Sequence, residues 1–363
     1  MPEVVLESVG REHLDVLARL SQLERHDLSE FRGSVPGADG LFRDTRLASY
    51  VDDPEREALL IRSEGRLVGF VLVRPHELGG RSIGEFFVVR AVRHQGVGRA
   101  AALALLRGRP GRWGIAFQEE NARAARFWRL LAAEAAVGDV VEEVRLAPDG
   151  VHADTWLWLD VADPEVQREW DDAAGSFDDE PDHGLRDPRA REAWRRLLTS
   201  LLPAAPSNVA DIGCGTGTLS VLLAEAGHRV RALDLSSRMV EKARAKAHDA
   251  GVEVDVVTGD ASYPPWPAGS VDVVLARHVV WALPDPAGSL GRWLGLLRPG
   301  GRLVLVEGFW HTGAGLHADE LVALLDAHGC DSEVVVLDDP QLWGGPLRDE
   351  RYAVVAQPRP AAS

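Results

Sequence analysis

Residues 209–218 read Val-Ala-Asp-Ile-Gly-Cys-Gly-Thr-Gly-Thr, a short apolar run that breaks into glycines at alternate positions, Gly213, Gly215 and Gly217. A turn (Pro206, Ser207, Asn208) precedes the run and a helix-like stretch, 219–226, follows it, so the pattern predicts strand, glycine loop and helix. Glycine is needed where a backbone turns tightly and a ligand must approach with no Cβ in the way. Two later features narrow the ligand. A second strand, 229–233, ends on Asp234, whose carboxylate can accept from both hydroxyls of a ribose. A third, 254–257, is followed by Gly259, Asp260 and Ala261, where a carboxylate and an amide can read an adenine edge. The spacing suits a nucleoside without a pyrophosphate. A dinucleotide-binding domain with Asp234 on the ribose is the alternative, and it has no use for residues 259–261.

These motifs, Asp211-x-Gly-Cys-Gly-Thr-Gly, Asp234-x-Ser236-x-x-Met239 and Gly259-Asp260-Ala261, come in the order of the class I S-adenosylmethionine (SAM) methyltransferases, which residues 170–356 resemble. The resemblance implies a Rossmann-like doubly wound sheet. It also implies SAM as cofactor, held by Asp211, Gly213, Cys214, Gly215, Gly217, Asp234, Met239, Asp260 and Ala261. The stretch 170–185, with aromatics among acids, reads as irregular. By the resemblance it forms a lid, placing Trp170, Phe177 and His183 against the substrate; a surface linker is the plainer reading. A fourth strand, 271–276, runs into His278 and Trp281, where a base or orienting donor and a packing wall would suit a small organic acceptor; both could equally only pack the cofactor. Trp310 and His311 end the strand after that and join the substrate-binding set. Tyr263-Pro264-Pro265-Trp266 is similar to the Pro-Pro-aromatic motif of methyltransferases acting on amide or base amino groups. That motif belongs after the fourth strand, and here it follows the third.

The first half has its own signature. An amphipathic helix over 11–25 leads into a glycine-rich loop, a hairpin turning at Ser63-Glu64-Gly65, and a buried strand over 83–89. That strand ends in Arg93-His94-Gln95-Gly96-Val97-Gly98-Arg99, directly before a helix, an arrangement of amides and helix dipole that suits a pyrophosphate. The segment resembles the (Gln/Arg)-x-x-Gly-x-Gly motif of the GNAT N-acyltransferases. Asn121-x-x-Ala124-x-x-Phe127-Trp128 resembles a second motif of that family. The resemblance covers residues 4–161 and implies a mixed sheet with flanking helices that binds acetyl-CoA through Val88, Arg93, Gly96, Gly98, Arg99, Asn121 and Phe127. Two positions depart from the pattern. Trp128 stands where the family usually has a tyrosine able to protonate the thiolate of coenzyme A, and His94 stands where glycine is common. Glu85, by alternation on the strand face of Phe87 and Val89, is the first candidate for a general base; a salt-bridged strand carboxylate is the alternative. Glu24 and His26 come second, with a solvated helix end as their plainer reading.

At 363 residues there is room for two or three domains, and the expected division is 1–162 and 163–363, joined at Ala162-Asp163-Pro164-Glu165. The net charge of −16 argues against nucleic acid as main partner, since phosphate backbones need a positive surface. Two cysteines, Cys214 and Cys330, are too few for a disulfide framework or a zinc site. Without a basic, apolar N-terminal segment or an apolar run of about 18 residues, no membrane span is expected and a cytoplasmic location is. The sequence thus points to an α/β protein of two domains acting on small molecules: a SAM methyltransferase with either an N-acetyltransferase or a non-catalytic acyl-CoA-binding or substrate-shaping module before it. The acceptors and the oligomeric state are left open.

Overall fold

The computed structural model describes residues 2–43, 46–77, 79–147 and 150–359. The chain divides into two compact units, Met1–Asp163 and Pro164–Ser363.

In the first unit a seven-stranded sheet has the order β1-β2-β3-β4-β5-β7-β6. Its elements are β1 (Val4–Ser8), α1 (Leu14–Arg32), α2 (Ser49–Asp52), β2 (Glu57–Ser63), β3 (Arg66–Pro75), β4 (Arg81–Val88), α3 (Val97–Arg107), β5 (Gly111–Phe117), α4 (Ala122–Ala135), β6 (Val141–Leu146) and β7 (Ala153–Val161). Alternation along the strands serves two cores. Leu60, Phe70 and Leu72 meet Leu17 of α1 and Tyr50 of α2 on one face. Leu59, Val71 and Val73 meet Leu105 and Leu106 of α3 and Leu131 of α4 on the other. α1 runs seven residues past the expected end at 25, because no breaker intervenes before Gly33, which closes the helix with φ 63°. Glu24 is therefore buried inside the helix and not at a solvated end.

One relationship in this sheet prepares a site. β4 and β5 run parallel, but their pairing stops after Ile83↔Ile115. Beyond it, residues 84–88 continue along β3 alone and leave a wedge between the two parallel strands. Gly98, in the first turn of α3, lies beside this part of β4: a Cβ on it would be 3.9 Å from the Phe86 ring.

The second unit has the order β10-β9-β8-β11-β12-β14-β13. Its elements are α5 (Pro164–Ala173), α6 (Pro181–Gly184), α7 (Pro188–Leu201), β8 (Asn208–Ile212), α8 (Thr218–Glu225), β9 (Arg229–Asp234), α9 (Ser237–Asp249), β10 (Val254–Thr258), β11 (Val271–Arg277), α10 (Pro286–Leu296), β12 (Leu297–Phe309), α11 (Ala318–Ala327), β13 (Cys330–Val336), α12 (Pro340–Trp343) and β14 (Glu350–Pro358). Strands β8 to β12 are parallel, while β14 runs antiparallel between β12 and β13. Helices cover both faces, so the central strands are largely apolar: Val209, Ala210 and Ile212 of β8 are fully buried. α7, α8 and α12 pack on one face, α10 and α11 on the other. From β8 the order proceeds outward to β9 and β10 and then returns to β11, so the β8/β11 boundary is the topological switch point. Ligands of open α/β sheets bind beyond the carboxyl ends of the strands at such a point.

The stretch 170–185 is not irregular. It is α5, a 3-10 turn over Phe177–Asp179, and α6, with Pro181 at the start of α6 where its missing N–H costs nothing.

Candidate active site

All three loop glycines after β8 have positive φ, 69° at Gly213, 55° at Gly215 and 76° at Gly217, a region that other residues enter only with strain. Space is short as well. A Cβ on Gly213 would lie 2.4 Å from Val279 Cγ2, and one on Gly217 would lie 2.7 Å from Ala243 Cβ. The loop is pinned from β9: the amides of Gly213 and Cys214 donate to the Leu233 carbonyl, and Gly215 N donates to Asp234 Oδ2 at 2.8 Å. The other oxygen, Asp234 Oδ1, accepts from Ser236 N at 2.9 Å. The Leu235 amide also bears on this carboxylate, and with two lone-pair sites on each oxygen acceptor capacity remains for a ligand hydroxyl. Burial drives the Asp234 carboxyl up to about 6, against the backbone bonds that lower it, and Asp211 is pushed to about 6 by the same desolvation while Ser220 Oγ donates to it.

Other members of the expected cofactor set are placed as follows. Asp260 accepts from Ser262 N at 2.7 Å, and burial raises its carboxyl; the neighbouring Ala261 carbonyl accepts from Trp293 Nε1. The side chain of Met239 is buried, 1% exposed, and its amide is capped by Ser236 Oγ. Met239 thus serves the start of α9 more than a ligand surface. Burial holds the Cys214 thiol well above its ordinary range, so it is protonated and unreactive near neutral pH.

The expected lid residues divide. Phe177 stands over the loop, close enough that a Cβ on Gly215 would be 3.0 Å from its ring, and stacks on His183 with centroids 4.2 Å apart. Asp178 fastens the segment: Thr216 Oγ1 donates to it, and Lys246 Nζ lies 3.0 Å from Oδ2 while also donating to Thr216 and Thr218. Burial would raise the Asp178 carboxyl, but those partners outweigh it and the net shift is downward. Asp171 of α5 accepts from Ser236 Oγ at 2.6 Å. Trp170 sits on α5, half-buried.

Beyond β11 the backbone of His278 is left-handed, φ 59°. The turn is held by Glu307, a carboxyl fully buried at the end of β12 whose Oε1 accepts from Val279 N and Val280 N at 2.9 and 2.8 Å. Burial pushes Glu307 to about 8 despite those bonds. Sequence reasoning did not assign it a role; the signal was an acid directly after the apolar run 303–306. His278 lies deep but keeps some accessible surface, and its Nδ1 has no hydrogen-bond partner among the described residues. Burial and the nearby Arg277 and Arg351 guanidiniums hold it well below the usual imidazole range, so it is neutral. Trp310 meets it edge-on at 5.1 Å and Trp343 lies at 6.0 Å. Trp281 is more exposed, donates to the His278 carbonyl and contacts Trp310 at 5.5 Å. His311 is mostly exposed beside Asp349. A cavity of about 260 Å³ adjoins this cluster, lined by Phe309, Trp310, His311, Gly313, Arg348, Asp349 and Glu350.

In the first unit, the loop after β4 uses side chains to shape itself. Arg93 Nε donates to the Val88 carbonyl at 2.7 Å and Nη2 to Asp27 at 2.6 Å, so its guanidinium is committed to the fold and the loop amides are what remain for an anion. His94, where glycine is common, adopts φ 63°, and Gly96 caps α3 with φ 83°. Gly98 lies in the first turn of α3, 3.8 Å from the Phe127 ring by its would-be Cβ. Arg99 is bound by Glu134, and the side chain of Asn121 caps α4 by accepting from Ala124 N at 3.2 Å. Glu85 pairs with Arg25 at 3.1 Å, the salt-bridged alternative for that strand carboxylate. Trp128 is buried, 7% exposed, edge-on to Phe86 at 5.2 Å and to Phe127 at 4.8 Å.

Residues 210–305 match the family model described as a methyltransferase domain, and residues 19–132 match the acetyltransferase (GNAT) family. The acetyltransferase match thus lies within the first unit and the methyltransferase match within the second, whose sheet is Rossmann-like. Among its relatives are a demethylmenaquinone methyltransferase of Renibacterium salmoninarum, 33% identical over 158 residues (43% of this chain, 64% of the relative). An aklanonic acid methyltransferase of a Streptomyces species is 34% identical over 33% of this chain and 56% of the relative. A ubiquinone biosynthesis O-methyltransferase of Xanthomonas axonopodis is 34% identical over 38% of this chain and 54% of the relative. The chain spans 54 to 64% of the length of these proteins. No helix among the described residues is long and apolar enough to cross a membrane.

Proposed function

We propose that the second unit transfers a methyl group from SAM to a small organic molecule. The observation that carries this is the pairing of a triple left-handed glycine loop with Asp234, whose oxygens brace the loop amide and keep acceptor sites for a ribose. Asp260 would take the adenine edge. Bound there, SAM supplies an electrophilic methyl group on a sulfonium.

The chain's own residues would then do the remaining work. Phe177 and the Asp178–Lys246 latch close water out of the loop; alignment and desolvation are the main terms in such a displacement. Neutral His278 can take a proton from an acceptor hydroxyl or amine. Glu307 fixes the turn that aims it. Two of the relatives are named for an organic acceptor, demethylmenaquinone and aklanonic acid, which suits the indoles grouped around His278. Irradiating the full chain with methyl-labelled SAM should place the label on peptides holding 213–217, 234 or 260. Label confined to the first unit would reject the assignment.

For the first unit the reading is a binder of an acyl-CoA, with the amides of the 93–99 loop and the start of α3 for the pyrophosphate and the β4/β5 wedge for an extended chain bearing amides. Buried Trp128 favours the version in which this unit binds the thioester without transferring its acyl group rapidly, since an indole offers no acid for the leaving thiolate.

A further inference from the structure

Arg277, the last residue of β11, is a cation without a matching anion. Its guanidinium lies deep in the second unit, enough that burial pulls its pKa down, while the residue as a whole keeps some accessible surface. Its contacts are the carbonyl of Asp182, to which Nη1 donates, and the face of Trp194 at 5.0 Å. Asp182, Asp211 and Asp178 influence it, but each is engaged elsewhere: Asp211 with Ser220, Asp178 with Thr216 and Lys246, Asp182 near His183 at 3.7 Å. Among the described residues none of them reaches ion-pair range of Arg277. A deep cation left in this state is costly unless a ligand supplies the counter-charge.

A second guanidinium borders the same histidine. Arg351 of β14 lies over Trp310 at 4.9 Å and over Trp343 at 5.3 Å, and it pairs with Asp349 at 3.2 Å. Arg277 and Arg351 both act on His278, and Asp182 acts on both guanidiniums, yet only Arg351 has a carboxylate, that of Asp349, in ion-pair range among the described residues. The walls here are flat. Trp310 and Trp343 flank His278, and flat conjugated groups stack well on indoles.

We propose that this corner of the switch point selects a planar organic acid, its carboxylate on Arg277 and its conjugated body against Trp310 and Trp343, as the methyl acceptor. The assignment rests on the methyltransferase reading above and names the substrate class for that site. On methylation, the acceptor's nucleophilic atom bonds the methyl carbon while the carbon–sulfur bond breaks with its electron pair going to sulfur. Any proton lost by the acceptor goes to His278.

SAM has a carboxylate too, so the test must separate the two sources. Calorimetry on the full chain would use 2-naphthoate and uncharged 2-naphthamide as probes, with and without S-adenosylhomocysteine, and SAM in parallel. The acid should bind at least about tenfold tighter than the amide, as expected for a charge-assisted contact. Arg277→Gln should level the two probes, Arg277→Lys should restore part of the preference, and SAM affinity should stay within about twofold, which also certifies the fold. Equal binding of acid and amide by a parent that binds SAM overturns the proposal. So does a loss of SAM affinity in Arg277→Gln of about tenfold or more, which would give the arginine to the methionine carboxylate of the donor. A parent that prefers 2-naphthoate through Arg277 but binds no SAM would keep the acid site and remove the methyltransferase reading.

Discussion

Gly215 N donates to Asp234 Oδ2 at 2.8 Å, so the carboxylate at the end of β9 braces the glycine loop that it would share a ligand with. The two features are one device. Asp234→Ala removes the brace and the acceptor together, and SAM affinity should fall by about 1.5–3 kcal/mol, the usual worth of hydrogen bonds to a charged group. Calorimetry reads this directly. Since burial sets the Asp234 carboxyl at about 6, SAM affinity should also decline as the pH falls through 6 and the carboxylate gains a proton.

Glu307 predicts an unusual pH dependence of stability. Its folded pKa, about 8, lies above its ordinary value of 4.5 because of burial, so between those values the folded state binds the extra proton. Its contribution is therefore fully present below about 4.5 and is lost as pH rises through 8. Glu307→Gln keeps an acceptor for Val279 N and Val280 N without a titrating charge. It should be nearly neutral at about pH 4, below both values, and more stable than the parent at pH 9 by roughly 1–3 kcal/mol, a fraction of the limit set by the shift. Urea unfolding at both pH values is the check, and an equal effect at both would deny Glu307 its buried proton.

Much of this geometry was legible in the sequence because it is local. Alternate glycines, a carboxylate after the next strand and an aspartate after the third are short-range signals, and each falls at the carboxyl end of its strand, at or beside the switch point. Long-range pairings were not legible. Nothing near Arg93 foretells that Asp27 of α1 occupies its guanidinium, nor does the strand around Glu85 announce Arg25. The α5–α6 segment read as irregular because its helices are short and rich in acids. Its partners, Thr216, Ser236 and Lys246, lie 38 to 68 residues away. Arg277 escaped notice for the same reason, since its lack of a counter-ion is a statement about space.

Trp128 sets the outcome for acyl transfer. If the missing hydroxyl limits the first unit, Trp128→Tyr should raise single-turnover thiol release from acetyl-CoA with small amines, because a positioned general acid typically contributes about 10²- to 10⁴-fold. A fast parent indifferent to the change would make this unit a working acetyltransferase and refute the binding-module reading.

The two cofactor sites should respond separately. Gly96 needs its left-handed backbone, φ 83°, and Gly98 starts α3 beside Phe127. A Gly96→Val/Gly98→Val protein should lose CoA binding and keep SAM. Calorimetry with both ligands on that protein decides it, and loss of both would mean that the substitutions damage more than the loop.

The central claim is that the glycine loop with Asp234 forms a SAM site. Titrating SAM into the full chain tests it most directly, with S-adenosylhomocysteine and NAD as competitors. One SAM per chain, displaced by S-adenosylhomocysteine and untouched by NAD, is the predicted result. Binding of NAD in place of SAM, or no binding of SAM at millimolar concentration, would contradict it.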